Sequence, residues 1–71
     1  MNRYLIVLER TATGFSAYAP DLPGCIATGR TRAETEAAMR EAMAFHLESL
    51  RDHGEAAPEP ASEAAFAEIP A

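Results

Sequence analysis

Few residues of this 71-residue chain are of types that do chemistry. Glu9 and Asp21 stand near the ends of apolar, strand-like runs, where a metal-dependent nuclease places its carboxylates. The competing reading is simpler: Glu9 is a solvated strand end and Asp21 stabilises a turn. Cys25 has no nearby histidine in sequence, and the default for a lone thiol in a short strand is burial. His46 falls among apolar helix positions and reads as a buried, hydrogen-bonded side chain, while His53 suits the negative end of a helix. Thr11-Ala12-Thr13-Gly14 leads into a strand and lacks glycine-rich spacing, so it is not a phosphate loop. Two histidines and one cysteine are thin material for zinc, and one cysteine excludes an internal disulfide. No cofactor, metal or catalytic constellation is expected.

Residues 3–9 (Arg-Tyr-Leu-Ile-Val-Leu-Glu) predict a first strand. Gly14, free to take a positive φ, closes a turn before a second strand over 15–19. Pro20-Asp21-Leu22-Pro23-Gly24 forms a rigid turn, and 25–28 make a short third strand ended by Gly29. Thr31 with Glu34 reads as a capping box opening a helix that runs to Gly54. Met39, Ala42, Met43, His46, Leu47 and Leu50 share one helical arc and should face the sheet. Glu34, Glu41, Glu48 and Asp52 lie opposite, and Phe45 sits on the flank as an exposed aromatic.

Charge is uneven along this frame. The net charge is −5, and four of the eleven acidic residues (Glu55, Glu59, Glu63, Glu68) fall in residues 55–71, which hold no basic residue. Such a chain is repelled by phosphate backbones, so direct nucleic-acid binding is not expected. The longest apolar run, Tyr4 to Leu8, is far below the ~20 residues of a membrane span, and the start, Met1-Asn2-Arg3-Tyr4 running into a strand-like pattern, is not expected to hold a signal-peptide cleavage site. A soluble, cytoplasmic protein is expected. Within the tail, Ala65 to Ile69 reads either as a short fourth strand or, with the whole of 55–71, as disorder.

The first strand is apolar on both faces, with Tyr4, Ile6 and Leu8 on one side and Leu5 and Val7 on the other. One helix covers one face only. The other needs a cover, and a chain of this size is marginally stable alone, which points to a homodimer, a higher oligomer or a protein partner.

Phe15-Ser16-Ala17-Tyr18-Ala19-Pro20-Asp21-Leu22-Pro23-Gly24-Cys25, following a hydrophobic strand, resembles the signature of the HicB family of antitoxins. Ala27-Thr28-Gly29-Arg30-Thr31 opening a helix, the helix end His46 to Leu50, and Asp52, Gly54, Glu55, Pro58 and Pro60 extend the similarity over residues 3–69. The resemblance implies one HicB-like domain over residues 1–71. Its α+β fold would be a three-stranded antiparallel meander, one helix and a short fourth strand, β-β-β-α-β, a partial ribonuclease-H-like arrangement. A strand–helix–strand crossover of this kind would be right-handed.

The resemblance also implies no catalysis, and a function of binding and silencing a HicA-like toxin, a small basic ribonuclease that cleaves messenger RNA. An acidic partner speeds encounter with a basic one. Tyr18, Asp21, Leu22, Pro23, Gly24 and Phe45 are the candidate contacts, with turn geometry alone as the competing reading of Pro23 and Gly24. Longer relatives commonly carry a C-terminal DNA-binding domain. No basic helix follows the tail here, so a neutralising module without a repressor is expected. The alternative function is an orphan HicB-like scaffold or regulator with no toxin partner.

Overall fold

The computed structural model describes residues 2–70. It places three strands and a helix in the order β1 (Val7–Arg10), β2 (Phe15–Tyr18), β3 (Ile26–Gly29) and α1 (Arg32–Asp52). The strands form one antiparallel sheet in sequence order, with Val7 opposite Tyr18 and Tyr18 opposite Ile26. This is the α+β meander and helix expected from the sequence.

β1 is shorter than predicted. Its register sets Leu5 level with Pro20, which has no N–H to donate, and the chain turns away over 20–24. Residues 3–6 therefore project past their neighbour. The fourth strand expected at 65–69 does not form: that segment carries no strand pairing, and Phe66 is 100% exposed. Two of its five residues are alanine and one is glutamate, so it has little apolar surface to bury in return for being ordered.

The turns differ in one respect from expectation. Gly14 does not take a positive φ. Its need for glycine comes from close approach, because a Cβ there would collide with the Gly29 carbonyl and Arg30 Cα.

Thr31 caps α1 as predicted, its hydroxyl accepting the Glu34 N–H at 3.1 Å. The Glu34 carboxylate accepts from Arg30 N–H (3.0 Å), one residue before the cap. The helix ends in a Schellman motif, with Glu55 N–H bonded to Leu50 carbonyl (2.8 Å) and Gly54 N–H to Arg51 carbonyl (3.0 Å). His53 Nδ1 lies 2.7 Å from the Ser49 carbonyl, which makes it the protonated nitrogen of the ring.

One face of the sheet packs on α1. Ala17, Ala19, Leu22, Cys25 and Met39 are buried, with Tyr4, Ile6, Leu8, Ala27, Met43 and Leu47 packed around them. The small residues at 17, 19 and 27 let the helix approach the sheet, and Thr35 is buried beside Gly29, its hydroxyl bonded to Thr31 carbonyl at 2.8 Å. His46 is half-buried outside this cluster and makes no hydrogen bond among the described residues, so it is a rim residue and not the core histidine expected. No described helix is long and apolar enough to cross a membrane.

Candidate functional site

The sheet face turned away from α1 is uncovered. Strand alternation sends Val7, Tyr18 and Ile26 to that side, and the register aligns them in one row across all three strands. Tyr18 is 41% exposed and Ile26 72%. The row beside it, Glu9, Ser16 and Thr28, is polar. A half-covered apolar stripe rimmed by polar side chains is the composition of a protein-docking face. Ile26 was not among the candidate contacts. Its signal was present in Cys25-Ile26-Ala27, where a large apolar residue alternates with two small ones that face the helix.

The candidate residues of the turn separate. Leu22 is 0% exposed and plugs the core, so the expectation that it touches a partner is corrected: the β2–β3 connection folds inward because its backbone is closed by Leu22 N–H to Ala19 carbonyl and Cys25 N–H to Leu22 carbonyl, each 3.1 Å. Pro23 and Gly24 are exposed at the tip, with Gly24 at φ +86°. Phe45 is 75% exposed on the helix flank. It lies on a different element from Tyr18 and the turn, and the helix is packed against the opposite face of the sheet from the Val7–Tyr18–Ile26 row.

Asp21 is occupied within the chain. One carboxylate oxygen accepts the Ala61 and Ser62 backbone N–H groups, each at 2.9 Å, and the other accepts the Ser62 hydroxyl at 2.9 Å. These donors, the Ser62 N–H foremost, hold its carboxyl below the usual range. A second tether, Tyr4 hydroxyl to Pro58 carbonyl at 2.6 Å, fixes the same part of the tail. Residues 58–62 are thus bound across the turn and the start of the first strand, and neither tether was visible from sequence. Beyond Ser62 the tail runs beside β1 with no hydrogen bond to the body among the described residues.

Among the described residues, no three His, Cys, Asp or Glu side chains converge. Cys25 is buried, its thiol directed at the Ala42 carbonyl (3.6 Å), and burial raises its pKa.

Comparison with known proteins identifies a family and several relatives. Residues 4–71 match the family model described as HicB_like antitoxin of bacterial toxin-antitoxin system. An uncharacterized 14.9 kDa protein from the rep-hol intergenic region of Haemophilus phage HP1 is 34% identical over 55 residues, covering 78% of this chain but 41% of the phage protein. The UPF0150 protein Ta0767 of Thermoplasma acidophilum is 32% identical over 57 residues, covering 79% and 83%. Among solved structures, a chain of the HicA3 and HicB3 toxin-antitoxin complex superposes with a TM-score of 0.71 at 37% identity, covering 84% of this chain and 70% of that one. The antitoxin HicB3 crystal structure superposes with a TM-score of 0.72 at 37% identity, covering 84% and 44%. The chain therefore spans less than half of the phage protein and of the chain in the antitoxin HicB3 crystal structure.

Proposed function

The chain belongs to the HicB-like antitoxins of bacterial toxin–antitoxin systems, and we propose that it binds a HicA-like, messenger-RNA-cleaving toxin in the cytoplasm and neutralises it by covering the toxin's catalytic surface. The observation that carries this reading is the superposition on a chain of the HicA3 and HicB3 complex at 37% identity. Two features of the chain support it. The uncovered row Val7–Tyr18–Ile26 supplies apolar surface that a partner buries. The net charge of −5, concentrated in the tail, attracts a basic partner and repels its RNA substrate from the same surface.

The chain acts by occupancy, without catalysis of its own. Tyr18, Ile26 and the exposed turn tip at Pro23 and Gly24 are the proposed contacts. Asp21 is a positioning residue that holds the tail, and through it the acidic run, beside the sheet. Co-expression with the neighbouring toxin gene, scored for growth rescue, tests the reading. Rescue with wild type and loss of rescue with Tyr18→Asp, at unchanged antitoxin level, is the expected result. Unrescued growth with a folded wild-type chain favours the orphan scaffold instead.

A further inference from the structure

The edge of the sheet at β1 is built to pair. β1 is a terminal strand and, among the described residues, pairs only with β2. The Thr11 N–H bonds to the Gly14 carbonyl at 2.8 Å, so that pair is hydrogen-bonded. Antiparallel alternation then turns the backbone groups of Glu9 and Val7 toward β2, and those of Leu8, and of Ile6 and Tyr4 continuing the strand, toward the open edge. Among the described residues, the tail does not satisfy them. Between residues 3–8 and residues 62–66 lie two adjoining open troughs of about 460 Å³ each, sharing Leu5, Ile6, Glu63 and Ala64.

We infer that this edge takes a second copy of the chain, β1 against β1, antiparallel about a two-fold axis with Ile6 opposite Ile6. In that register Arg3 faces Glu9 of the second copy, Tyr4 faces its Leu8 and Leu5 faces its Val7, and the symmetry repeats each pair. The even-numbered residues, whose N–H and C=O groups point outward, meet each other, so the ladder closes without a bulge. Tyr4, Ile6 and Leu8, which pack on the core side, continue that side across the junction.

Neighbouring registers are worse. A shift of two residues one way sets Arg10 against Tyr4 and Glu9 against Leu5. The opposite shift sets Arg3 against Val7 and leaves Glu9 beyond the ladder. Arg3 and Glu9 are both exposed and have no ion-pair partner within the chain among the described residues. Six residues apart on one strand, they reach each other only across two copies.

The product is a six-stranded sheet with both helices on one face. Residues 63–70 swing aside to admit it, and among the described residues no hydrogen bond to the body is broken. Isologous pairing of this kind removes an exposed strand edge. It leaves the Val7–Tyr18–Ile26 rows side by side and uncovered, so the inference stands independently of any toxin.

Sedimentation equilibrium across a concentration series, with amide exchange read at Ile6 and Leu8, tests it. The wild-type chain is expected to dimerise, with protection of those two amides rising with concentration. At 71 residues the chain is within reach of chemical synthesis, and N-methylation at Ile6 keeps the side chain while removing an edge donor; that chain is expected to be monomeric. Arg3→Glu and Glu9→Arg each place like charges opposite one another twice per dimer and are expected to weaken dimerisation about tenfold, and the double swap to restore it. The charge swaps leave the backbone intact and answer the question even where the N-methylated chain fails to fold. A wild-type monomer throughout the series overturns the inference. So does a dimer indifferent to these changes, which would join through the open sheet face, or protection independent of concentration, which would mean that the tail closes on its own edge.

Discussion

Leu22 lies inside the signature run Phe15–Cys25 and Ile26 just beyond it, four residues on, and truncating each to alanine should have opposite consequences. Ile26 is 72% exposed, so most of what an isoleucine contributes by burial is not used within the chain. Full burial of such a side chain contributes roughly 1.5–3 kcal/mol. About a quarter of that is already spent inside the fold, so Ile26→Ala should cost well under about 1 kcal/mol of stability and lower Tm by no more than about 4 °C. The remainder, roughly 1–2 kcal/mol, becomes available when a partner covers the face, and at about 1.4 kcal/mol per tenfold it corresponds to a toxin affinity weakened about five- to thirtyfold. Leu22 is fully buried, and Leu22→Ala should remove about 2–5 kcal/mol from a fold whose whole stability is of the order of 4–10 kcal/mol at this length. Calorimetric titration of the purified toxin, an active-site variant for safety of expression, measures the first quantity, and urea denaturation measures both stabilities. Ile26→Ala that binds within twofold of wild type would show that the row is not the toxin-facing surface. A large stability loss in the same variant would show that the row is packed in solution against something the single chain does not supply.

Other consequences concern the tail and the core. The Asp21 carboxyl is held below its ordinary value of 3.8 by the Ser62 and Ala61 donors. Its contribution is therefore fully present above that value and is lost as pH falls through the lower, folded-state pKa. Amide exchange at Ala61 and Ser62 should accelerate only in that acid window, and in Asp21→Asn the acid-dependent step should be missing; a step centred near neutral pH would refute the assignment. Tyr4→Phe deletes the 2.6 Å bond to the Pro58 carbonyl and should cost about 0.5–1.5 kcal/mol, measured by denaturation, with faster proteolysis in residues 56–60. The Cys25 thiol, buried and raised in pKa, should react with a disulfide reagent no faster than the chain unfolds; rapid labelling under native conditions would contradict its burial.

The architecture was legible because its signals were local. Alternation gave three strands, Thr31 and Glu34 opened the helix, and Gly54 closed it with the bonds a C-terminal glycine makes. What was not legible depends on pairing between distant segments. Tyr4 and Pro58 are 54 positions apart, and Asp21 and Ser62 are 41 apart, so no spacing rule joins them. The length of β1 is set by where its neighbour turns at Pro20, and the extra strand-like residues at 3–6 look identical in sequence to paired ones. Phe66 and Ile69 suggested a fourth strand, but alternation states only that a segment can be a strand, and a strand exists only where a ladder receives it.

The Asp21-Leu22-Pro23-Gly24 turn takes a different meaning from this arrangement. Read along the sequence, a short run with an acid, a proline and a glycine looks like a recognition loop. In three dimensions Leu22 faces the core and Asp21 faces the tail, so the two residues with most to offer a partner are already committed. On the proposed function, recognition falls to their neighbours on the open face, Tyr18 before the turn and Ile26 after it, which β2–β3 pairing sets opposite one another. The turn's task is to fix that pair and to hold the acidic tail at the adjoining edge. Asp21→Asn should accordingly leave the Tyr18–Ile26 pairing in place and act on toxin binding mainly through the tail. Its effect should then fade with added salt, because charges carried by an exposed, solvated segment are screened within about 8–10 Å at physiological ionic strength. A salt-independent loss of affinity would instead make Asp21 a direct contact, and the tether to Ser62 incidental.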